Sequence, residues 1–278
     1  MSIWSRVARK EPDSLTAIFV DVGQGDCAFI RTPSGRTMLI DGGGTNDDSG
    51  ESTGMRIIEP FLRREIVNRI DVVVLTHPHD DHIRGLVPVL RDFRVGMVLD
   101  PGIPHPSESY KCFLALIAAR RIPYRQAVRG QVIDFGDGVR AVVLHPPTGL
   151  LATDDENDDS VVLRITYGSQ ALLMTADVGF DAESDILASG LIVKSDVMKV
   201  AHHGSSYATS EEWLDAVRPR SAIISVGRSN QFGHPSRETL DRLKKRGIQV
   251  FRTDECGAVT ATFSQGSHSI KTCIPRPD

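Results

Sequence analysis

Short apolar runs recur along the chain, divided by glycine, proline and acidic turns. Leu15–Val20, Cys27–Arg31 and Thr37–Ile40 read as strands, and the glycine-rich turns around them predict an antiparallel meander. Met55–Arg64 patterns as a helix. Val72-Val73-Val74-Leu75 is too short for a helix and rich in β-branched residues, so it reads as a buried strand. Beyond it, Ile83, Leu86, Val87 and Leu90 fall at helical spacing, which predicts a helix opening at His82 with Asp81 as its N-cap. Val95–Leu99 is a strand and Tyr110–Arg120 a helix. Gln131–Phe135 and Arg140–Leu144 pair across a glycine turn, and Val161–Tyr167 and Ala171–Thr175 form a hairpin. Asp196–Ala201 (strand), Glu211–Val217 (helix), Ala222–Val226 (strand), Arg237–Arg246 (helix) and Gln249–Arg252 (strand) follow, with Ala258–Phe263 as the last strand. Pro146–Asp159 is acidic and aperiodic, a long loop. Residues 1–14 read as a flexible polar tail and 15–278 as one domain, since no repeat or linker-like composition divides them. The pattern alone gives α/β or α+β.

Composition narrows the partners. At 278 residues, with 40% hydrophobic and 24% charged residues, the chain is an ordinary globular one able to bury a large core. Its net charge of −4 argues against tight binding of long nucleic acid, which rests on neutralising phosphates. The basic stretch Arg237–Arg246 reads as the solvated face of a helix. Cleavage of short or transiently held nucleic acid stays open. The four cysteines form no CxxC pair, which excludes a disulfide framework or thiolate zinc site and predicts reduced thiols. No segment reaches the roughly 18 apolar residues of a membrane span, and the N-terminus lacks a signal-peptide core, so a cytoplasmic location is the expectation.

Chemistry gathers at strand ends. His77, His79, Asp81 and His82 follow the Val72–Leu75 run at once, and extended backbone points His77 and His79 the same way. Imidazole nitrogen and carboxylate oxygen suit zinc and its borderline neighbours. Six of the nine histidines lie in loops that follow predicted strands, against His105, His145 and His268 elsewhere, which favours a built site. Serine-nucleophile chemistry is disfavoured: GxSxG is absent, and Ser205-Ser206 follows a ligand loop.

THPHDDH resembles the HxHxDH signature of the metallo-β-lactamase-fold hydrolases. FVDVGQGDCAFI, LIDGGG, KVAHHGS and SVGRSNQFGHP resemble the branch related to the hydrolase domain of ComEC-type DNA-uptake proteins, so the likeness runs from Leu15 to Phe263. It implies an αββα sandwich of two mixed sheets covered by helices, holding two divalent ions, zinc first and manganese next. One ion would take His77 and His79, the other Asp81, His82 and one of the His202-His203 pair, with Asp177 bridging. Adjacent residues on extended backbone diverge, so His203 is taken as the ligand and His202 as a proton donor or substrate contact. His234 is expected to touch substrate or phosphate, and Asp41 to orient a ligand histidine. Asp21 and Asp26 are expected only to support the glycine turn.

The chain departs from the family at three points. A histidine usual before the bridging aspartate is missing, leaving Asn157 or Asp158 beside the site, a water, or His145 if the acidic loop folds over. His79 stands where ComEC-type domains commonly carry aspartate, and Ala176 where they carry glycine. The implied reaction is attack on phosphorus by a hydroxide between the metals, oriented by Asp81, with His234 offsetting phosphoryl charge and His202 protonating the leaving oxygen. A phosphodiesterase or nuclease, acting on nucleic acid or a small phosphodiester, leads. A hydrolase of lactones, thioesters or β-lactams on the same metals, and a metal- or partner-binding protein with little turnover, are the alternatives.

Overall fold

The computed structural model describes residues 13–44, 53–149, 151, 153 and 155–275. The expected N-terminal tail lies outside them, apart from Asp13 and Ser14. β1 (Leu15–Phe19), β2 (Ala28–Arg31) and β3 (Thr37–Ile40) form the antiparallel meander. α1 (Glu59–Arg64) follows a π-helical turn over Gly54–Ile58. Then come β4 (Arg69–Ile70), β5 (Val72–Val74), α2 (Asp80–Ile83), α3 (Leu86–Asp92), β6 (Arg94–Val95), β7 (Val98–Asp100), α4 (Glu108–Ala119) and β8 (Tyr124–Gln126). β5, β7 and β8 extend the first sheet in parallel from β3, while β4 and β6 make a separate ribbon.

The second sheet begins with the antiparallel β9 (Val132–Asp134), β10 (Val139–His145), β11 (Val162–Tyr167) and β12 (Gln170–Met174). After α5 (Phe180–Ala188) it continues in parallel through β13 (Val197–Lys199), α6 (Glu211–Val217), β14 (Ser221–Ile224), α7 (Arg237–Lys245) and β15 (Gln249–Arg252). α8 (Thr253–Cys256) returns the chain to the first sheet, where β16 (Val259–Phe263) pairs with β1 and β17 (His268–Thr272) forms the edge.

The layers follow from which side of each strand is apolar. Leu15, Ala17, Phe19, Ile30, Met38 and Ile40 meet Ala141, Val143, Leu163, Ile165 and Met174 between the sheets. Phe29, Leu39 and Val73 face outward onto Leu62, Leu86, Leu90 and Phe113 of the first helical layer. Leu173, Met198 and Ile224 do the same against Ile186, Trp213, Leu214 and Leu243. Both sheets are therefore covered on two faces, the αββα sandwich, and their central strands, such as β3, β5, β12, β13 and β14, read as unbroken buried runs rather than alternations.

Four expectations are corrected. The helix after β5 opens at Asp80, with His79 in extended backbone as its N-cap, and breaks at Gly85 before α3. A Cβ on Gly85 would lie 1.8 Å from the Gly42 carbonyl oxygen, so the chain must turn here to let two backbones touch. β17 follows the strand expected to be last; its alternating partly exposed residues gave no apolar run. β8 is exposed along its length and equally silent in the sequence. α5 buries Ala182 and Ile186 behind an acidic first turn that masked its pattern.

Candidate metal centre

The carboxyl ends of parallel strands β3, β5, β12, β13 and β14 lie on one edge of the sandwich, where ligands of open α/β sheets gather. Asp41 follows β3. Its carboxylate accepts the Thr76 backbone N–H and hydroxyl, each at 2.8 Å, and Nδ1 of His82 at 2.9 Å. That bond fixes the ring hydrogen on Nδ1 and leaves Nε2 of the fully buried His82 bare. His203 is set the same way: its Nδ1 donates to the Ser225 carbonyl at 2.9 Å, and Nε2 is bare.

These nitrogens meet two carboxylates. Nε2 of His82 is 3.3 Å and Nε2 of His203 3.1 Å from Asp177 Oδ2; from Asp81 Oδ2 they are 3.9 Å and 3.5 Å. The contacts are close, yet neither Nε2 makes a hydrogen bond. Donors around a tetrahedral zinc at about 2.0–2.1 Å stand about 3.3–3.4 Å apart, which these separations bracket. His77, fully buried with Nε2 bare, has a ligand atom within 4.8 Å of those of His82 and Asp177. The residues present therefore fit divalent metal: several buried donors face one another with their hydrogen-bonding capacity unspent.

Lys199 was not anticipated. It is 1% exposed, and its ammonium lies 2.6 Å from Asp26 and 3.5 Å from Asp177 Oδ1 while donating to the Ala176 and Val200 carbonyls. Asp26, expected only to hold the glycine turn, also stands 3.5 Å from Nδ1 of His203. A lysine inside the apolar run Val197–Val200 was the available signal, since a buried ammonium needs a carboxylate. Burial pushes the Asp177 carboxyl up, but His203, His82 and Lys199 outweigh it and hold it well below the carboxylate range. Burial works against the charged form of His203 too, and Asp177 overcomes it, raising the ring to about 10. His82 is raised likewise, against burial, by Asp177, Asp81 and Asp41. His77 is pushed well down, first by burial and then by the charge of His82.

The His202-His203 pair is not extended. Both residues are left-handed, with φ of 49° and 52°, in a tight turn over Ala201–Gly204. The turn sends His203 into the cage and leaves His202 half-buried, its ring 5.8 Å from that of His234. Asp41 and Ala176, at the same edge, are also left-handed. His234 sits on a loop tied by Asn230, whose Oδ1 accepts the Phe232 and His234 amides and whose Nδ2 donates to the Gly227 and His234 carbonyls. Its ring stacks on the exposed Phe232, and burial, then the charges of His202 and His203, push it down to about 4.

The other expected residues lie elsewhere. His145 gives Nδ1 to the Ser160 carbonyl and faces Asp185, so it does not fill the gap left by the missing histidine. Asp158 is spent on the Gly179 amide, bracing the loop after Asp177. Asn157 is buried with Oδ1 unpartnered. His79 lies beside His77, ring centroids 4.6 Å apart, but its Nε2 is 3.6 Å from Glu156. Outside the cage is a cleft of about 500 Å³, lined by His79, Asp81, His105, Gln24, Asn230 and Phe232 among others.

A family model described as the metallo-beta-lactamase superfamily matches residues 20–228. ComE operon protein 3 of Bacillus subtilis is 32% identical over 253 residues, covering 86% of this chain and 32% of that protein. Competence protein ComA of Neisseria gonorrhoeae is 30% identical over 257 residues, covering 92% and 33%. The chain thus spans about a third of the length of these relatives. Among solved structures, the metallo-beta-lactamase fold protein YhfI of Bacillus subtilis superposes with a TM-score of 0.54 at 14% identity, over 93% of this chain and 100% of that one, a likeness of fold. Among the described residues no helix is long and apolar enough to cross a membrane.

Proposed function

The chain belongs to the metallo-beta-lactamase superfamily, and from that premise we propose that it is a metal-dependent hydrolase of phosphodiesters, either nucleic acid or a smaller diester. Asp81, His82, Asp177 and His203 would hold one divalent ion, zinc or manganese; a second would stand on the side of His77 and His79, with Asp177 between. When bound, such ions polarise the attacked group and make a water acidic enough to act as nucleophile near neutral pH. The chain's own groups do the rest. Asp81, ionised, accepts a hydrogen bond from the attacking water. His202 protonates the leaving oxygen. His234, neutral at pH 7, donates a hydrogen bond to a phosphoryl oxygen.

The carrying observation is the pair of imidazoles, His202 and His234, standing 5.8 Å apart beside the cage. Charge developing on phosphoryl and leaving oxygens calls for such donors. Gln24, Ser107, Ser229, Asn230 and Gln231 in the cleft lining offer hydrogen bonds to a polar substrate such as a phosphodiester. Among the described residues no lysine or arginine lines the cleft, which with the net charge of −4 favours a short or transiently held substrate.

The test is one panel: protein with Zn²⁺, Mn²⁺ or chelator against bis-nitrophenyl phosphate, single- and double-stranded DNA, RNA and a lactone. Diester turnover is expected, abolished by chelation and lowered about 10²-fold or more in His203→Ala. Turnover confined to the lactone would reassign the substrate class. Diester hydrolysis indifferent to chelation would remove the metal mechanism.

A further inference from the structure

The edge of the sandwich opposite the metal centre carries a different chemistry. The β4–β6 ribbon lies at the amino ends of β5 and β7, where α1, α3 and α4 also end. Over residues 59–71, 91–96 and 120–125 the chain has eight arginines and four carboxylates, a surplus of four in a protein of net charge −4. The carboxylates are already paired: Glu59 with Arg63 and Arg91, Glu65 with Arg31, Asp71 with Arg36 and Arg69, and Asp92 with Arg91. Among the described residues no carboxylate pairs with Arg94 or Arg121. Arg69 and Arg94 are exposed register partners in the ribbon, like charges side by side, an arrangement that costs stability. With Arg120 they line an open depression of about 420 Å³. Arg63 reaches over the ring of Phe93, whose carbonyl accepts from Arg120. Ile66 stands among these arginines, just past the end of α1, where its amide donates to the Arg63 carbonyl at 3.0 Å. Its φ is 54°, a left-handed position that glycine or asparagine takes at ease and a β-branched residue does not. It is nevertheless 67% exposed, so no burial in the core offsets the strain.

We propose that this edge docks on an anionic lipid bilayer, with Ile66 entering the headgroup–acyl boundary and Arg63, Arg64, Arg69, Arg94 and Arg121 meeting lipid phosphates. Such a surface supplies both things the edge lacks: negative charge for the surplus cations, and an apolar layer beneath it for the isoleucine. The cations of these segments are all arginine, whose planar fork suits phosphate. Each basic residue at an anionic leaflet raises affinity about fivefold, so several together make a stable contact. A nucleic-acid backbone would suit the arginines but not the aliphatic tip, since base stacking calls for an aromatic ring. Because the ribbon lies at the far end of β5 and β7 from the cage, docking leaves the cleft facing away from the bilayer. The inference concerns a separate edge and stands whether or not the hydrolase reading does.

The experiment measures partitioning rather than turnover. The full chain is sedimented with phosphatidylcholine vesicles, with and without phosphatidylglycerol, at low and high salt. Binding is expected to the anionic vesicles alone and should fall as salt screens the exposed charges. Arg63→Glu/Arg94→Glu should lower it about tenfold or more. Arg237→Glu/Lys271→Glu, the same change of charge placed on α7 and β17, should change it little. Ile66→Asn should weaken binding severalfold while keeping or raising Tm, because asparagine accepts the left-handed backbone; that separates lost docking from unfolding. Vesicles ignored by wild type, equal losses in the two double variants, or binding untouched by Ile66→Asn would overturn the proposal. So would a single-stranded oligonucleotide held in place of the vesicles and released by Arg63→Glu/Arg94→Glu, which would give this face to nucleic acid.

Discussion

Asp41 decides which nitrogen of His82 faces the cage. As a carboxylate it can only accept, so the ring hydrogen stays on Nδ1. Asparagine tolerates the left-handed backbone at φ 58°, but its amide would donate to Nδ1 and drive the hydrogen onto Nε2. Asp41→Asn should therefore keep the fold and weaken metal binding about 10–100-fold, as loss of such a partner usually does. Competition with a chromophoric chelator measures it; unchanged affinity would show that Asp41 does not set the tautomer. At this scale the histidines and Asp177 were legible, because each follows an apolar run whose end marks a strand terminus. Asp26 and Lys199 were not. Nothing in the VGQGD turn or in strand β13 says that their side chains meet at 2.6 Å beneath the cage.

Short elements hold the loops in place, and two glycines show how closely. Gly42 donates to the His82 carbonyl at 2.7 Å and Gly85 to the Gly43 carbonyl at 3.0 Å, stitching the end of β3 to the α2–α3 junction. Gly85→Ala should cost about 1–3 kcal/mol, the usual cost of overpacking, because the clash is with backbone rather than a movable side chain. Urea denaturation would measure it. On the opposite layer, Glu183 of α5 accepts the Thr209 and Ser210 amides at the start of α6. Burial pushes its carboxyl from 4.5 up to about 7. The folded protein therefore binds this proton more tightly than the unfolded chain, so the associated stability is complete below the unfolded value and fades as pH rises through the folded one. Wild type should lose stability relative to Glu183→Gln between pH 5 and 8; a difference that stays flat would refute the shift. Long apolar elements were legible, whereas β8, α5 and β17 were not, since a polar edge or acidic first turn carries little periodic signal.

Across the whole molecule, metal should act as part of the fold. The cage joins loops from both sheets, so an ion bound there stabilises their packing by mass action, about 2.7 kcal/mol when free metal is a hundredfold above Kd. Zn²⁺ should raise the Tm of wild type and leave that of Asp177→Asn nearly unmoved; equal shifts in both would place the metal elsewhere. The sequence pattern by itself determined most strands and helices, a class of α/β or α+β, and the candidate ligand loops; the αββα layering came only through the family resemblance. Burial of a strand or helix face is a local matter of side-chain period, and turns announce themselves by glycine and proline. Only the tertiary structure decided which donors share a site. It put Glu156 and His105 beside His79, turned His145 away toward Ser160, and used a left-handed turn to part His202 from His203. Those outcomes depend on how the strand ends of two sheets pack against each other, to within an ångström, and no local pattern encodes that distance.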